Sequence, residues 1–133
     1  MTNAIGIALS GLNSASTRLN ASAANIANAF TSGSLEEGGQ APYTPRDTVS
    51  SAQGETGGVQ TQIISRDPAF SPAYSPESPF ANEEGYIGVP NVDLATEIVN
   101  MKLAEISYKA NIGSIKVADE MLDALMTAFD KRV

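Results

Sequence analysis

A chain of 133 residues with 15 acidic and 8 basic side chains has a net charge of −7, and it holds no histidine, cysteine or tryptophan. That balance argues against binding a nucleic-acid backbone, which needs clustered Lys and Arg, and disfavours adhesion to anionic lipid. Without His and Cys there is no Ser-His or Cys-His nucleophile system, no disulfide and no His- or thiolate-bound zinc, so no catalytic, cofactor-binding or metal residue is assigned. The lack of cysteine leaves both redox compartments open. Apolar residues make up 42% and aromatics 6%, which implies a thin, aliphatic core. No run approaches the roughly eighteen apolar residues of a membrane span, so no direct membrane insertion is expected. The N-terminus lacks the basic start, apolar run and small-residue cleavage site of a Sec-type signal peptide.

The first predicted element is a helix over residues 3 to about 30. Ile5, Leu12, Leu19 and Ile26 recur every seven residues, with Leu9, Ser16, Ala23 and Phe30 interleaved four residues on, which is a heptad seam. Its local odds are poor, because Gly6, Gly11 and the many Asn and Ser residues each cost up to about 1 kcal/mol relative to Ala. Ordering on assembly is therefore expected, with the small residues admitting a close partner helix. Thr31, Ser32 and Gly33 end it.

Residues 31–90 form a middle segment with all seven prolines and eight of the eleven glycines. Val59, Thr61 and Ile63 alternate after Gly57 and Gly58, predicting a short strand that pairs with residues 43–50 as a β-hairpin. Farther on, Pro68, Pro72, Pro76 and Pro79 with Phe70, Tyr74, Phe80 and Tyr86 suggest an extended segment. Its aromatics either anchor it along a neighbouring surface or pack on the chain's own helices.

The second helix, over residues 91–133, starts after Pro90 with Asn91 or Asp93 as N-cap and Glu97 in its first turn. Leu94, Met101, Tyr108, Ile115, Leu122 and Phe129 form one heptad column, and Ile98, Glu105, Ile112, Asp119, Met126 and Val133 the other. A further apolar column, Val99, Leu103, Ile106, Ala110, Val117, Met121 and Leu125, lies beside them. One shorter partner helix cannot cover both, so neighbouring subunits are expected to bury the remainder. Lys102, Lys109 and Lys116 line one face, but Glu105 and Glu120 sit within reach, which makes a solvated, salt-bridged surface rather than a basic stripe. The expected fold class is mainly α: two long terminal helices packed as a coiled-coil-like antiparallel pair, with a Pro/Gly-rich irregular middle containing a short β-hairpin.

Specific stretches resemble a known family. Ala24-Asn25-Ile26-Ala27-Asn28-Ala29 followed by Thr31-Ser32-Gly33 resembles the "NIANANTTG" signature of flagellar axial proteins, and Ser107-Tyr108-Lys109-Ala110-Asn111 resembles their C-terminal "SYEAN" helix. In the middle, Tyr74-Ser75-Pro76-Glu77-Ser78-Pro79 and Gly85-Tyr86-Ile87-Gly88-Val89-Pro90-Asn91-Val92 are similar to the "Y-x-P-x-HP" and "GYV-x-x-PNV" segments of FlgC-type proximal-rod subunits. The departures are Phe30, where a polar residue is usual, Ser78 in place of the usual His, and Leu35-Glu36-Glu37, which match no family motif. Phe30 is either a packing knob between subunits or a hydrophobic cap.

The resemblance implies a structural subunit of the flagellar basal body. It further implies export without a cleaved signal by the flagellar type III export apparatus, and assembly in the periplasmic space into a hollow rod that transmits torque. Its implied partners are other copies of itself, neighbouring proximal and distal rod subunits, and the rod-to-membrane-ring junction protein. The candidate subunit-interface residues are Leu12, Leu19, Asn25, Ile26 and Asn28 on the first helix and Met101, Tyr108, Asn111, Ile115 and Leu122 on the second. The asparagines either fix register or cap helix ends. A soluble helical adaptor or export chaperone is the alternative reading. An enzyme built on Glu83 and Glu84 is disfavoured, because adjacent residues in an extended segment point apart.

Overall fold

A computed structural model describes residues 2–54 and 57–130. Its elements run α1 (Thr2–Ala27), β1 (Arg46–Ala52), β2 (Val59–Ser65), β3 (Phe70–Tyr74), β4 (Tyr86–Pro90) and α2 (Leu94–Asp130). The helices hold 26 and 37 residues, about half of the chain, so the molecule is mainly helical with a β middle, an α+β arrangement. The difference from the expected fold lies in the middle, where two antiparallel ribbons stand instead of one hairpin and an irregular segment.

The expected hairpin is β1 with β2, in register from Arg46 opposite Ser65 to Ala52 opposite Val59. The segment read as merely extended is the second ribbon, with Phe70 opposite Pro90 and Tyr74 opposite Tyr86. Its prolines are compatible with pairing because each strand of a two-stranded sheet keeps a free edge, where a missing N–H breaks no ladder bond. Tyr74 and Tyr86 meet edge to face with ring centres 5.5 Å apart, so these two aromatics pack on each other. Gly33 and Gly88 exchange backbone hydrogen bonds of 3.0 and 2.9 Å, tying the exit of α1 to β4. A Cβ on Gly33 would meet the backbone of residues 40–42 at 2.3–2.5 Å. Close backbone approach is what demands glycine there.

The helices run antiparallel, since Asn25 bonds Glu97 while Gly11 lies against Asn111. Small and polar residues make the contact line: Ala8, Ala15 and Ser22 on α1, and Glu97, Ala104 and Ala118 on α2, are all buried. Leu12, Ile26, Met101, Ile115 and Leu122 are only half-buried. The expected leucine and isoleucine columns therefore flank the contact rather than form it. Alanine and glycine let two backbones come closer than facing leucines allow, which displaces the larger side chains to the edges. Val133, assigned to one column, lies outside the described residues.

Asp93 is the N-cap of α2, its carboxylate accepting from the Ala95 N–H at 3.1 Å and from the Thr96 hydroxyl at 2.5 Å. These bonds hold its pKa below the ordinary carboxylate range. Asn91 instead donates to the Pro68 carbonyl. Near the start of α1, Ala4 borders the same hollow as Ala118, so residues 121–130 extend past the described start of α1. Among the described residues no helix is long and apolar enough to cross a membrane.

Candidate assembly interface

A buried polar cluster sets where the middle segment sits on the helices. Asn25 is fully buried, and its amide uses all of its hydrogen-bonding capacity. Nδ2 donates to the Arg46 carbonyl at 2.8 Å and to Glu97 Oε1 at 2.9 Å, while Oδ1 accepts from the Arg46 N–H at 2.8 Å and the Tyr43 hydroxyl at 3.1 Å. Glu97, 2% exposed, also accepts from Arg66 Nη2 at 2.7 Å. Arg66 grips Asp47 through Nε and Nη2 and donates to the Asn91 carbonyl through Nη1. Its bonds to Asp47, and then to Glu97, push the guanidinium pKa up. Burial, reinforced by the charge of Glu97, raises that of the Tyr43 phenol and keeps it a neutral donor. A buried carboxylate is tolerated only when paired and hydrogen-bonded in this way, and no buried side-chain nitrogen or oxygen among the described residues lacks a partner.

The other expected interface residues fall in three settings. Leu12, Ile26, Met101, Ile115 and Leu122 border the helix contact, half-buried. Leu19 and Tyr108 are exposed and line an apolar hollow of about 140 Å³ between the helices. Asn28 and Asn111 donate to carbonyls four residues back, Ala24 and Ser107. Asn111 also fills the space that the missing Cβ of Gly11 leaves. Glu97 and Arg66 are not among the expected interface residues. A Glu in the first turn of a helix reads as a dipole partner, and only the fold brings residues 25, 66 and 97 together. The seven-residue recurrence of Ala8, Ala15 and Ser22, and of Ala104, Asn111 and Ala118, was a visible signal for the true contact line.

Much of the apolar surface of the second helix is bare. Val99, Leu103, Ile106, Ala110, Val117, Met121 and Leu125 are all exposed. Val99 and Ile106 stand two residues after Glu97 and Ala104 of the inner line, whereas Ala110, Val117 and Met121 border a hollow with Ala4 of α1. Two residues on a helix of ~3.6 per turn amount to a rotation of roughly 200°, which puts Val99 and Ile106 on the far side from α1. Nearby, Lys102 and Lys109 clasp Glu105 at 2.9 and 2.7 Å, as the charge spacing anticipates. Met126 and Phe129 extend the apolar surface along residues 121–130. Monomeric soluble proteins rarely leave this much contiguous apolar surface uncovered.

A thin helical pair with an unpartnered apolar face and an internally locked middle defines a structural subunit of a larger assembly. Comparison with known proteins specifies which. Residues 5–33 match the family described as flagella basal body rod protein, and residues 83–128 match the flagellar basal body rod FlgEFG protein C-terminal family. The chain is 35% identical over 132 residues to the flagellar basal-body rod protein FlgC of Yersinia enterocolitica, covering 96% of each chain. Over 129 residues it is 30% identical to FlgC of Aquifex aeolicus, again with 96% of each covered, and over 138 residues 27% identical to that of Bacillus subtilis, with 90% of this chain and 92% of the relative covered. The chain belongs to the FlgC family of flagellar basal-body rod proteins. It is a structural rod subunit of the basal body, not an enzyme.

Proposed function

We propose that this subunit joins the rod by laying the outer stripe of α2 against helices of neighbouring subunits, copies of itself and the adjoining proximal and distal rod proteins, around a hollow axis. The exposed apolar stripe of α2, with Val99 and Ile106 on the side away from α1, is the observation that supports this reading. With α1 on one side and a neighbour on the other, α2 is buried on two faces. At about 25 cal/mol per Å² of apolar burial, a few hundred Å² per neighbour offsets the cost of ordering a weak first helix. Torque applied to such an array shears many small contacts at once, which suits a drive shaft. Leu12, Leu19, Ile26, Met101, Tyr108, Ile115 and Leu122 then serve as edge contacts on the groove between the helices.

The composition of α1 supports delivery of an unfolded chain by the type III export apparatus to the periplasmic space, with folding on assembly. Contact with the ring-junction protein belongs to the same reading. The test is Val99→Lys with Ile106→Lys. Both sites are exposed in the single chain, so circular dichroism of the monomer should match wild type, while rod assembly and motility of a complemented deletion strain should be lost. Normal swimming in that strain would sink the proposal.

A further inference from the structure

Three of the chain's four arginines gather in one place. Arg18 from α1, Arg46 from the start of β1 and Arg66 just after β2 border an open polar cleft of about 420 Å³, with Ser22, Asp47 and Glu97. Its two carboxylates are already engaged, since Arg66 binds both at 2.7 Å. Among the described residues neither Arg18 nor Arg46 joins a salt bridge. The cleft thus offers two guanidinium groups without a carboxylate partner, in a chain of net charge −7. Guanidinium forks match carboxylates in bidentate geometry, and a partly enclosed cleft weakens screening by salt.

An acid of the right kind is carried by the chain itself. Glu83 and Glu84 stand exposed on the turn between β3 and β4, which Asn82 Oδ1 holds by accepting from the Glu84 and Tyr86 N–H groups at 3.1 and 2.8 Å. They sit at the wrong end of the ribbon to reach their own cleft. Arg66 is bonded to Asn91, just past the Pro90 end of β4, whereas the acids lie beyond the Tyr74–Tyr86 end. A strand of this length, at ~3.4 Å per residue, spans roughly 17 Å. A basic cleft at one end and an acidic tip at the other pair head to tail between copies, and such heterologous contacts propagate into helical arrays instead of closing. We infer that the Arg18–Arg46 cleft is a socket for the Glu83–Glu84 turn of a second copy of this chain. The inference rests on the assembly reading but uses the middle segment, not the α2 stripe.

A charge swap with full-length chains tests it by sedimentation equilibrium at low salt. Arg18→Glu with Arg46→Glu makes one chain, and Glu83→Lys with Glu84→Lys makes the other. Each alone should self-associate at least tenfold more weakly than wild type, and an equimolar mixture should recover wild-type association, because each tip then meets an opposite socket. Should the reversed socket fail to fold by circular dichroism, Arg18→Gln with Arg46→Gln replaces it and must show the same tenfold loss. Wild-type association in either swapped chain, or a mixture that stays dissociated, overturns the socket. A Glu36→Lys and Glu37→Lys chain that associates as weakly as the Glu83 and Glu84 variant overturns the choice of tip. Ile106→Lys is measured in parallel: weakening there with no effect of the swaps removes the socket and leaves the stripe reading standing, and a wild-type chain that remains monomeric removes both.

Discussion

Asn25 stands in the motif that most clearly marks the family resemblance, yet its amide is spent entirely inside the chain. It joins α1 to the start of β1, to Tyr43 and to α2 through Glu97. Asn25→Ala leaves the Arg46 N–H and the Tyr43 hydroxyl without their acceptor and should cost about 2–4 kcal/mol, read as a lower urea midpoint. Glu97→Gln keeps an acceptor for Asn25, and Arg66 retains Asp47, so about 1–2 kcal/mol is expected. Glu97→Ala should approach the Asn25→Ala loss. If Glu97→Gln proved as damaging as Glu97→Ala, the charge rather than the hydrogen-bonding shape would hold the cluster together. The importance of Asn25 was legible in the sequence, but its partners were not, because they lie 21 and 72 residues away.

Between the helices, register depends on small residues. A Cβ on Gly11 would come within 2.4 Å of Asn111 Oδ1, so Gly11→Ala should destabilise even though alanine favours an exposed helix by about 1 kcal/mol. Removing the obstruction with Asn111→Ala should restore the loss, and a double-mutant cycle in urea gives the interaction directly. Simple additivity of the two changes would show that Asn111 does not hold the register. At the rim of the hollow between the helices, hydrogen bonds from Lys109 and then Lys102 lower the Glu105 carboxyl from 4.5 to about 2. A depressed folded-state pKa contributes stability above the unfolded value, and that contribution fades as pH falls from about 4.5 towards 2. Partial exposure and screening keep it modest. Lys102→Gln with Lys109→Gln should lower stability at pH 6 and have little effect at pH 2; an equal loss at both would refute the pairing as its cause.

Across the whole molecule, protection should follow the span of the helix pair. Residues 97–118 of α2 face α1, while residues 121–130 extend beyond it, with Met121, Leu125, Met126 and Phe129 exposed. In the isolated chain, backbone amides of 121–130 should exchange with solvent far faster than those of 97–118, and assembly should remove the difference. Equal protection in the free chain would mean that another partner already covers that end. The apolar surface that makes the monomer thinly stabilised is the surface the proposed array would bury, so stability and assembly draw on the same residues.

Periodicity by itself determined that two helices stand at the ends, that prolines and glycines interrupt the middle, that residues 59–63 pair backwards with a strand in the forties, and that α2 carries more apolar surface than one partner covers. These follow from local rules: a repeat of 3.5 residues demands a helix, alternation a strand, and proline a break. Tertiary structure alone decided which stripe of α2 faces α1. Leucine columns and alanine columns run along the same helix at the same spacing, and the choice depends on how closely two backbones can approach. It also decided the second ribbon and the union of Asn25, Arg66 and Glu97, because a hydrogen-bond partner 72 residues away leaves no periodic trace in the chain.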